Sequence, residues 1–572
     1  MNNEGDLTPP QPEPQPGVAP SPSSSIPKWL GRSPLVLISA AGVLVAGAVA
    51  VAAVLLLAQP NPSVEKMVPA THDVMVIANL NPSLAQKVNL LRAVHSFPDT
   101  RTDAAIATKL DDALKQSGLS YTTDVQPWLG GEVGVSAKLN FESGADSPYA
   151  LFLTSRDDAK AKAALAKLRS GTIGKKYTWR DETYNGISVS SGTPTITSEK
   201  PTAYSYVDHV VVIASSSAII REIIDTDQGR SARLVDSSDF KATMTLLPSD
   251  RVGTGYISGA SLVAGVKKQM AKPSTLGLPA LKTLDDLNAL QGIGGAVSAT
   301  GTGVAFDLAV KLDVNKLSPA TRQAFSATGR PDAVLRWIPK SSDGFLAIAN
   351  VDQGIKTLLA QYGSDPSVQA STDALGLTGS KGILPHLTGD LGVDVELGSN
   401  SIPSGAILIG TNDSAAMNVF FGKLAALASA TTGQQKPAAS ITRTTYRGTV
   451  ITTLTSSSLG QVPGLMPSYA ALDGMGILAS SPAEVKALID AHAGSSNITS
   501  DPTYQAASSA SLAQPAGILY VNVARLVSLL EKLPSSGTKT TATAYLAPLE
   551  AFMFTATSQT GAAVERFFVA IK

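Results

Sequence analysis

The chain has 572 residues, and its 45 Lys and Arg residues balance its 45 Asp and Glu residues. This length exceeds what one hydrophobic core supports, and a net charge of zero gives no positive field that would attract nucleic acid. The sequence contains no cysteine, which excludes disulfides, thiolate metal sites and a cysteine nucleophile. We therefore expect more than one globular unit, held together by packing alone, and no nucleic-acid partner.

Residues 1–33 are predicted to form a disordered cytoplasmic tail. Eight prolines fall within the first 27 residues, and this favours a solvated polyproline II conformation that cannot form a core. The PxxP spacing in the tail is typical of segments that bind an aromatic groove on a partner. A plain spacer before the membrane is the simpler interpretation.

Residues 34–58 are predicted to form one transmembrane helix. Residues 35–58 carry no charge, and at about 1.5 Å per residue they cover the ~30 Å hydrocarbon layer. A cleaved signal peptide is the alternative, but its apolar region is usually shorter, and the best cleavage-like site places bulky Leu56 three residues before the cut. Lys28 and Arg32 precede the span, so the positive-inside rule places the N-terminus in the cytoplasm. We expect a single-pass protein of the cell membrane, with a tether at residues 59–67 and its bulk in the extracytoplasmic cell envelope.

The rest of the chain contains one series of motifs twice, which predicts a duplicated ectodomain. Each copy has a Val-Pro or Ile-Pro pair, an apolar strand, a glycine-containing strand and a strand that begins with Tyr. The matched segments are residues 68–69 and 338–339, 74–79 and 345–350, 129–135 and 387–393, and 256–263 and 520–527. We therefore predict a first repeat at residues 68–314, a joint at 315–337 and a second repeat at 338–572.

A helix in each copy places apolar residues on the same face at a spacing of three to four residues. These residues are Ala161, Ala164, Leu165 and Leu168 in the first copy and Met417, Phe420, Phe421 and Leu424 in the second. Alternating strands and amphipathic helices predict an α+β fold of largely antiparallel sheets with helices packed on one face. The sequence leaves open whether the copies form separate domains or continue one sheet through a pseudo-twofold axis.

The most distinctive polar patch follows the first strand of the ectodomain and contains Asn81, Ser83, Gln86 and Lys87. The Asn-Pro-Ser sequence can turn the chain out of its strand and cap the next helix. In the alternative interpretation, the four side chains line a groove near the end of the sheet. A helix cap and a binding groove are therefore both candidate roles for this patch.

Several of these segments together resemble a family of uncharacterised bacterial single-pass proteins that is known only as a domain of unknown function. They are residues 68–70 (VPA), 78–83 (ANLNPS), 86–87 (QK), 90–91 (LL) and 129–132 (LGGE). The resemblance extends from about residue 66 to the C-terminus, and the second copy lacks the Pro and the Lys of the motif at residues 350–353. It implies a membrane-anchored extracytoplasmic protein and assigns no activity, cofactor or catalytic residue.

The sequence contains no constellation that predicts catalysis or metal binding. The histidines occur singly, without the spacing of a chelating pair. They are His72, His95, His209, His386 and His492. No GxSxG elbow is present, and the Ser-x-x-Lys sequences at Ser63 and Ser238 lack the SDN and KTG partners of penicillin-recognising folds. A glycine cluster at residues 292–295 precedes a predicted strand, whereas a dinucleotide-binding loop precedes a helix. We expect no enzyme, no cofactor and no metal.

Two hypotheses of different classes remain. The first is a non-catalytic binding or scaffold protein of the cell envelope, whose partner is an envelope protein, a polymer or a lipid in addition to the bilayer around its helix. The second is a divergent extracytoplasmic hydrolase whose site residues are dispersed in sequence. A histidine within hydrogen-bond reach of Ser or Asp in a cleft would favour the hydrolase.

Overall fold

The computed structural model describes residues 63–572, except for residues 142–146, 198, 271–283, 327–328, 380–381, 398–402, 432–439, 456–464, 495 and 532–536. The predicted tail and transmembrane span, with Lys28 and Arg32, lie outside the described residues. Within the described ranges, no helix is long and apolar enough to cross a bilayer. All described residues belong to the compact unit Gly47–Lys572.

Twenty strands in the described part of the chain form one sheet, and every pairing between them is antiparallel. The strands of the first half are β1 (Val74–Asn79), β2 (Leu129–Ala137), β3 (Tyr149–Ser155), β4 (Tyr177–Tyr184), β5 (Ile187–Pro194), β6 (Thr202–Val207), β7 (Val210–Ala214), β8 (Gly253–Ser258), β9 (Leu290–Thr300) and β10 (Gly303–Leu312). Those of the second half are β11 (Gly344–Ile348), β12 (Leu387–Leu397), β13 (Pro403–Thr411), β14 (Ser440–Tyr446), β15 (Thr449–Thr455), β16 (Ser468–Leu472), β17 (Met475–Ala479), β18 (Gly517–Val521), β19 (Leu549–Gln559) and β20 (Ala562–Ile571). The mixed α+β class and the antiparallel sheet predicted from the sequence are confirmed.

The order of the strands shows how the two copies join. It reads β4-β5-β6-β7-β3-β2-β1-β8-β9-β10 and then β20-β19-β18-β11-β12-β13-β17-β16-β15-β14. The second sequence is the first one reversed, with each strand replaced by its counterpart. The copies therefore continue one sheet through a pseudo-twofold axis, and β4 and β14 are its outer edges.

An ion pair lies at the pseudo-twofold axis. Asp307 of β10 pairs across the strands with Arg566 of β20, and the neighbouring pair is Leu308 with Glu565. Arg566 donates from Nε and Nη2 to the two carboxylate oxygens of Asp307, at 2.6 and 3.2 Å, and Asp307 is 1% exposed. A bidentate, buried pair of this kind fixes the register of the two strands at the point where the halves meet.

Helices follow the strands in the same order in both halves. Those of the first half are α1 (Leu84–His95), α2 (Asp103–Leu114), α3 (Asp158–Ser170), α4 (Ser217–Asp227), α5 (Ser238–Met244), α6 (Gly259–Met270) and α7 (Leu284–Leu287). The remaining helices are α8 (Pro319–Ser326), α9 (Asp332–Leu335), α10 (Val351–Tyr362), α11 (Pro366–Ala374), α12 (Ser414–Thr431), α13 (Pro482–Ala493), α14 (Pro502–Ser509), α15 (Val523–Glu531) and α16 (Gly537–Leu546). The counterparts α4 and α13 both begin at a Ser N-cap, Ser216 and Ser481, whose hydroxyl accepts a backbone N–H of the first turn.

Helices cover both faces of the sheet, so the prediction of helices on one face was wrong. On β7, Val210 and Val212 belong to a buried cluster with Ile220 of α4, whereas Val211 belongs to a cluster on the opposite face with Leu165 of α3. The continuous apolar run of β7 carried this information, because a strand that faces solvent on one side alternates apolar and polar residues.

The folded region begins before the predicted boundary at residue 68. A 3-10 helix, Val64–Met67, packs in the core, and Val64 and Met67 are buried. Their counterparts Val334 and Trp337 are buried in the same way at the start of the second half. The last residues of the predicted tether 59–67 are therefore part of the folded domain.

One predicted match between the copies was shifted by a single residue. Met75 of β1 pairs with Ser136 and Tyr256, whereas Phe345 of β11 pairs with the counterparts Asp394 and Tyr520. Met75 and Phe345 are therefore equivalent, although the sequence comparison placed Val74 opposite Phe345. The connection to the next helix is shorter in the second copy: β11 ends at Ile348 and Asn350, with a left-handed backbone (φ 63°), is already the N-cap of α10, whereas β1 ends at Asn79 and Ser83 is the N-cap of α1.

Candidate functional site: an apolar cavity in the first half

A cavity of about 470 Å³ lies between the sheet and the helices α2 and α3. The sheet contributes Ala78, Leu80, Leu129, Val133, Leu151, Leu153, Val211 and Ile213. The helices contribute Leu110, Ala113, Leu114, Ala164, Leu165 and Leu168, and the segment after α2 contributes Ser117, Leu119, Tyr121, Val125 and Trp128. Its size is that of a ligand site, and apolar side chains make nearly all of its wall.

The outer wall is the segment from α2 to the start of β2. Thr102 caps α2 by accepting the backbone N–H of Ala105 at 3.2 Å. After α2, residues Tyr121–Val125 form one turn of π-helix, a rare conformation that occurs often at functional sites. Spacing of three and four residues places Leu110, Ala113 and Leu114 toward the cavity.

Polar side chains hold this wall from outside the cavity. The carboxylate of Asp111 accepts the Ser120 hydroxyl at 2.8 Å and the Thr122 hydroxyl at 2.8 Å, and these hydrogen bonds lower the pKa of Asp111. Lys167 of α3 binds Asp124 with an N–O distance of 2.6 Å. The wall is therefore attached to α3, which forms the other side of the cavity.

Two of the polar groups that reach the cavity wall are already engaged in hydrogen bonds. The Ser117 hydroxyl donates to the Leu114 carbonyl at 2.5 Å, and Trp128 Nε1 donates to the Asp124 carbonyl at 2.5 Å. Burial raises the pKa of Tyr121 to about 12, so its phenol is neutral at physiological pH. The wall offers a ligand apolar contact and no charge.

The second half has larger side chains at two of the matched helix positions. Ala164 of α3 corresponds to Phe420 of α12, and both lie on the helix face that meets the sheet. Phe420 and Met417 pack against β16 and β17, and a Cβ added to Gly476 would lie 2.5 Å from Met417 Cγ. Gly476 corresponds to Val211 of the cavity wall. Met417 therefore occupies room that Gly476 leaves, and the two copies pack the same backbone plan with different side chains.

A histidine and a serine meet near the opposite face of the first half. His72 Nδ1 lies 2.7 Å from Ser136 Oγ, and His72 Nε2 lies 3.9 Å from a carboxylate oxygen of Glu222. The order Ser, His and Glu is that of a catalytic triad. However, Ser136 is 0% exposed and His72 is 1% exposed, so no substrate reaches the hydroxyl. Burial, followed by the charge of Lys138, lowers the pKa of His72 to about 4.

The second half carries different groups at the same positions. Ser342 corresponds to His72 and donates at 2.5 Å to Asp394, which corresponds to Ser136. Asp394 and the neighbouring Glu484 are both buried, and one oxygen of each carboxyl group has no hydrogen-bond partner among the described residues. Burial, followed by the charge of Glu484, raises the pKa of Asp394 to about 7. Burial also raises the pKa of Glu484.

The polar patch predicted from the sequence forms the start of α1. Ser83 is the N-cap of α1 and its hydroxyl also donates to Asp250 at 2.9 Å. Gln86 is buried, donates to the Asp250 carbonyl at 3.3 Å and accepts the backbone N–H of Ala299 at 2.7 Å. The backbone N–H of Asn81 donates to the side chain of Asn79. Ser83 and Gln86 therefore both bind Asp250, in the loop before β8. Asn81 and Lys87 lie beside these two residues in the chain.

The other four histidines are dispersed over the described region. The nearest carboxylates are Asp103 for His95 at 3.2 Å, Asp158 for His209 at 2.9 Å, Asp413 for His386 at 3.6 Å and Asp473 for His492 at 3.8 Å. Among the described residues, no group of three or more His, Cys, Asp or Glu side chains could hold a metal ion.

The cavity residues were not identified from the sequence. The one signal was the difference between Ala164 in the first copy and Phe420 in the second. Side chains this different at matched core positions indicate a difference in the volume that the core must fill.

The fold and the cavity define a class of duplicated α+β protein, built on one antiparallel sheet with a ligand-sized apolar cavity in one half. The chain belongs to the family described as "Protein of unknown function (DUF3352)", whose model matches residues 36–437 and 431–559. This match confirms the resemblance to a domain of unknown function and carries no information about membrane topology. A search of curated proteins finds no match.

Three crystal forms of TP0453 are among the solved structures that resemble the chain. Crystal form III has 11% identity and a TM-score of 0.24, and the alignment covers 46% of this chain and 86% of TP0453. Crystal form I has 11% identity and a TM-score of 0.23, with 47% and 84% coverage. Crystal form IV has 11% identity and a TM-score of 0.23, with 43% and 79% coverage. A likeness at these TM-scores supports no statement about function.

Proposed function

We propose that this protein is a non-catalytic, membrane-anchored binding protein of the cell envelope that holds one long hydrocarbon chain in the cavity of its first half. The main observation in support of this proposal is the 470 Å³ cavity with its apolar wall. The expected ligand is the acyl chain of a fatty acid or of a lipid. The second half has Phe420 and Phe421 where the cavity wall has Ala164 and Leu165, which supports a stoichiometry of one ligand per protein.

The size of the cavity sets the length of the chain. An engineered apolar cavity of about 150 Å³ in another protein binds one benzene, which has six carbons. A cavity of 470 Å³ is about three times as large, so it accommodates roughly eighteen carbons. This is the length of a membrane lipid's acyl chain.

The energetics also favour an occupied cavity. In core substitution series, each Å³ of empty apolar volume costs about 24 cal/mol. The cavity is partly open on its outer side, so this cost applies to the part of its volume that water does not reach. A hydrocarbon ligand would offset most of this cost because it restores contacts along the wall.

The proposed anchor would hold the cavity beside the membrane. The predicted span ends at residue 58 and the folded region begins at Val64, which leaves residues 59–63 as the connection. Five residues extend over at most roughly 17 Å. Lipids of the bilayer would be the nearest source of acyl chains.

A hydrolase is the weaker alternative. The contact between His72 and Ser136 is its best support. Both residues are buried in the core, and the neutral His72 side chain has no open path to a substrate. The same two positions carry Ser342 and Asp394 in the second half. Both halves therefore place a buried polar contact at these two positions, and this favours a structural contact between neighbouring segments over a catalytic centre.

The proposal is tested with the full chain purified in detergent. Native mass spectrometry should detect one bound lipid or fatty acid. A fluorescent fatty acid of about sixteen to eighteen carbons, the length that the cavity volume accommodates, should bind at one site. Phe at both Ala113 and Ala164 should weaken binding at least tenfold (about 1.4 kcal/mol), since both residues line the cavity.

The matched control is Ala163→Phe, which adds the same ring to the exposed face of α3. This control should bind as the unchanged protein does. Equal binding by the cavity variant and the control, with both correctly folded by circular dichroism, would remove the cavity as the binding site.

A further inference from the structure

Helix α1 carries a row of apolar side chains that points away from the domain. Leu84 is 77% exposed, Val88 is 56% exposed and Leu91 is partly exposed. Their spacing of four and three residues places them on one face. Lys87 and Arg92 flank this row on its two sides. An apolar row between cations is the pattern of a helix that lies in a membrane interface.

The helix is held rigidly from its opposite face. Leu90 and Ala93 are buried against the sheet, and Gln86 bonds both the loop before β8 and the end of β9. Ser83 fixes the first turn through its bond to Asp250. The outward row is therefore a fixed feature of the domain surface, since the buried face of α1 is fully engaged.

The chain enters the folded domain at the same end of the sheet. The backbone N–H of Val64 donates to Glu132 at 2.7 Å, and Glu132 pairs with Asn79, the last residue of β1. Glu65 lies beside Arg251, which follows Asp250, the residue that Ser83 binds. Burial raises the pKa of Glu65. The start of α1 and the start of the domain thus share one end of the sheet.

The cavity reaches this end as well. Leu80, between β1 and α1, lines the cavity, as do Trp128 and Leu129 at the start of β2. Leu80 donates its backbone N–H to Gly131, two residues beyond Leu129. The apolar row, the first folded residue and the cavity wall therefore lie together.

We propose that α1 docks on the surface of an anionic phospholipid bilayer, with Leu84 and Val88 among the acyl chains and Lys87 and Arg92 at the phosphates. The inference rests on the membrane anchor in the proposed function. The 24 uncharged residues of the predicted span end at residue 58, and only residues 59–63 separate them from Val64, the first residue of the folded region. Cations near an anionic surface add to the apolar contribution. Docking by α1 brings the end of the cavity wall to the lipid.

The second half serves as an internal comparison. Its helix α10 begins at the N-cap Asn350, and its side chains Val351 and Ile355 are only partly exposed. Gly354 stands four residues after the N-cap, where α1 has Lys87. The described part of α10 therefore lacks the exposed apolar row, and its exposed cation Lys356 pairs with Asp352 at 2.9 Å, so docking belongs to the first half.

The test uses the full chain in vesicles of phosphatidylcholine and phosphatidylglycerol. Because the sequence has no cysteine, Leu84→Cys and Val88→Cys each give one site for an environment-sensitive fluorophore. Lipids brominated in their acyl chains should quench both labels at least twofold. The matched control is Ile441→Cys, a 53% exposed residue on the edge strand β14, which should not be quenched. Quenching of the α1 labels no greater than that of the control would overturn docking.

Two further variants separate the parts of the mechanism. Lys87→Glu should reduce the quenching of a Leu84→Cys label on anionic vesicles, and unchanged quenching would overturn the assigned role of Lys87. The cavity variant with Phe at Ala113 and Ala164 should keep the quenching while it loses the fluorescent fatty acid. Failure of ligand binding and failure of docking therefore give different results.

Discussion

The buried carboxyl pair of the second half predicts an unusual dependence of stability on pH. Burial raises the pKa of Asp394 from about 4 to about 7. The folded protein therefore holds a proton that the unfolded chain has lost in this range of pH, and stability falls as pH rises from about 4 to about 7. Three pH units at about 1.4 kcal/mol each give a loss of about 4 kcal/mol, which is complete above pH 7.

Asp394→Asn removes this titration while its amide oxygen still accepts the Ser342 hydroxyl. We expect the variant to have a smaller decline in stability between pH 4 and pH 8 and to exceed the unchanged protein by up to about 4 kcal/mol at pH 8. The assay is the denaturant midpoint, followed by tryptophan fluorescence, at each pH. Asp112→Asn, at an exposed position of α2, is the control. Parallel pH profiles for the unchanged protein and Asp394→Asn would refute the reasoning.

Three other predictions follow from the packing. Arg566→Ala leaves the buried Asp307 carboxylate without its bidentate partner and should cost about 3 to 5 kcal/mol, measured by urea unfolding, with a smaller loss for Arg566→Lys. Gly134→Ala places a Cβ 2.8 Å from Val64 Cγ1 and should lower the free energy of unfolding by about 1 to 3 kcal/mol; a melting temperature equal to that of the unchanged protein would contradict the close approach. Shortening a bound fatty acid by two carbons should weaken binding by about 1.6 kcal/mol, or roughly fifteenfold, in a titration series.

The sequence predicted the α+β class and the antiparallel sheet because each copy repeats the same local signals. The serines Ser216 and Ser481 cap matched helices as their positions indicate. Alternating strands and helices gave the α+β class and the antiparallel sheet. Local patterns of this kind report which elements form, and an internal repeat doubles the number of independent observations.

Other features were set by contacts between distant residues. The continuation of one sheet depends on the pairing of β10 with β20, and Asp307 and Arg566 are 259 residues apart in sequence. The helices on both faces could have been predicted from the uninterrupted apolar run at Val210, Val211 and Val212. The cavity is a shape between four strands, two helices and the segment after α2, and residue types alone do not define a shape.

The difference between the two copies connects the fold with the proposed binding site. Duplication within one sheet joins the two halves at the pseudo-twofold axis through the pairing of β10 with β20. The second half has Phe420 and Met417 where the first half has small residues, and the described residues of its α10 lack the exposed row of α1. The cavity and the apolar row are both present in the first half, which also follows the predicted anchor. A cavity that binds a hydrocarbon chain and a surface that binds a bilayer serve one function, because membrane lipids form the bilayer and also provide the hydrocarbon chain.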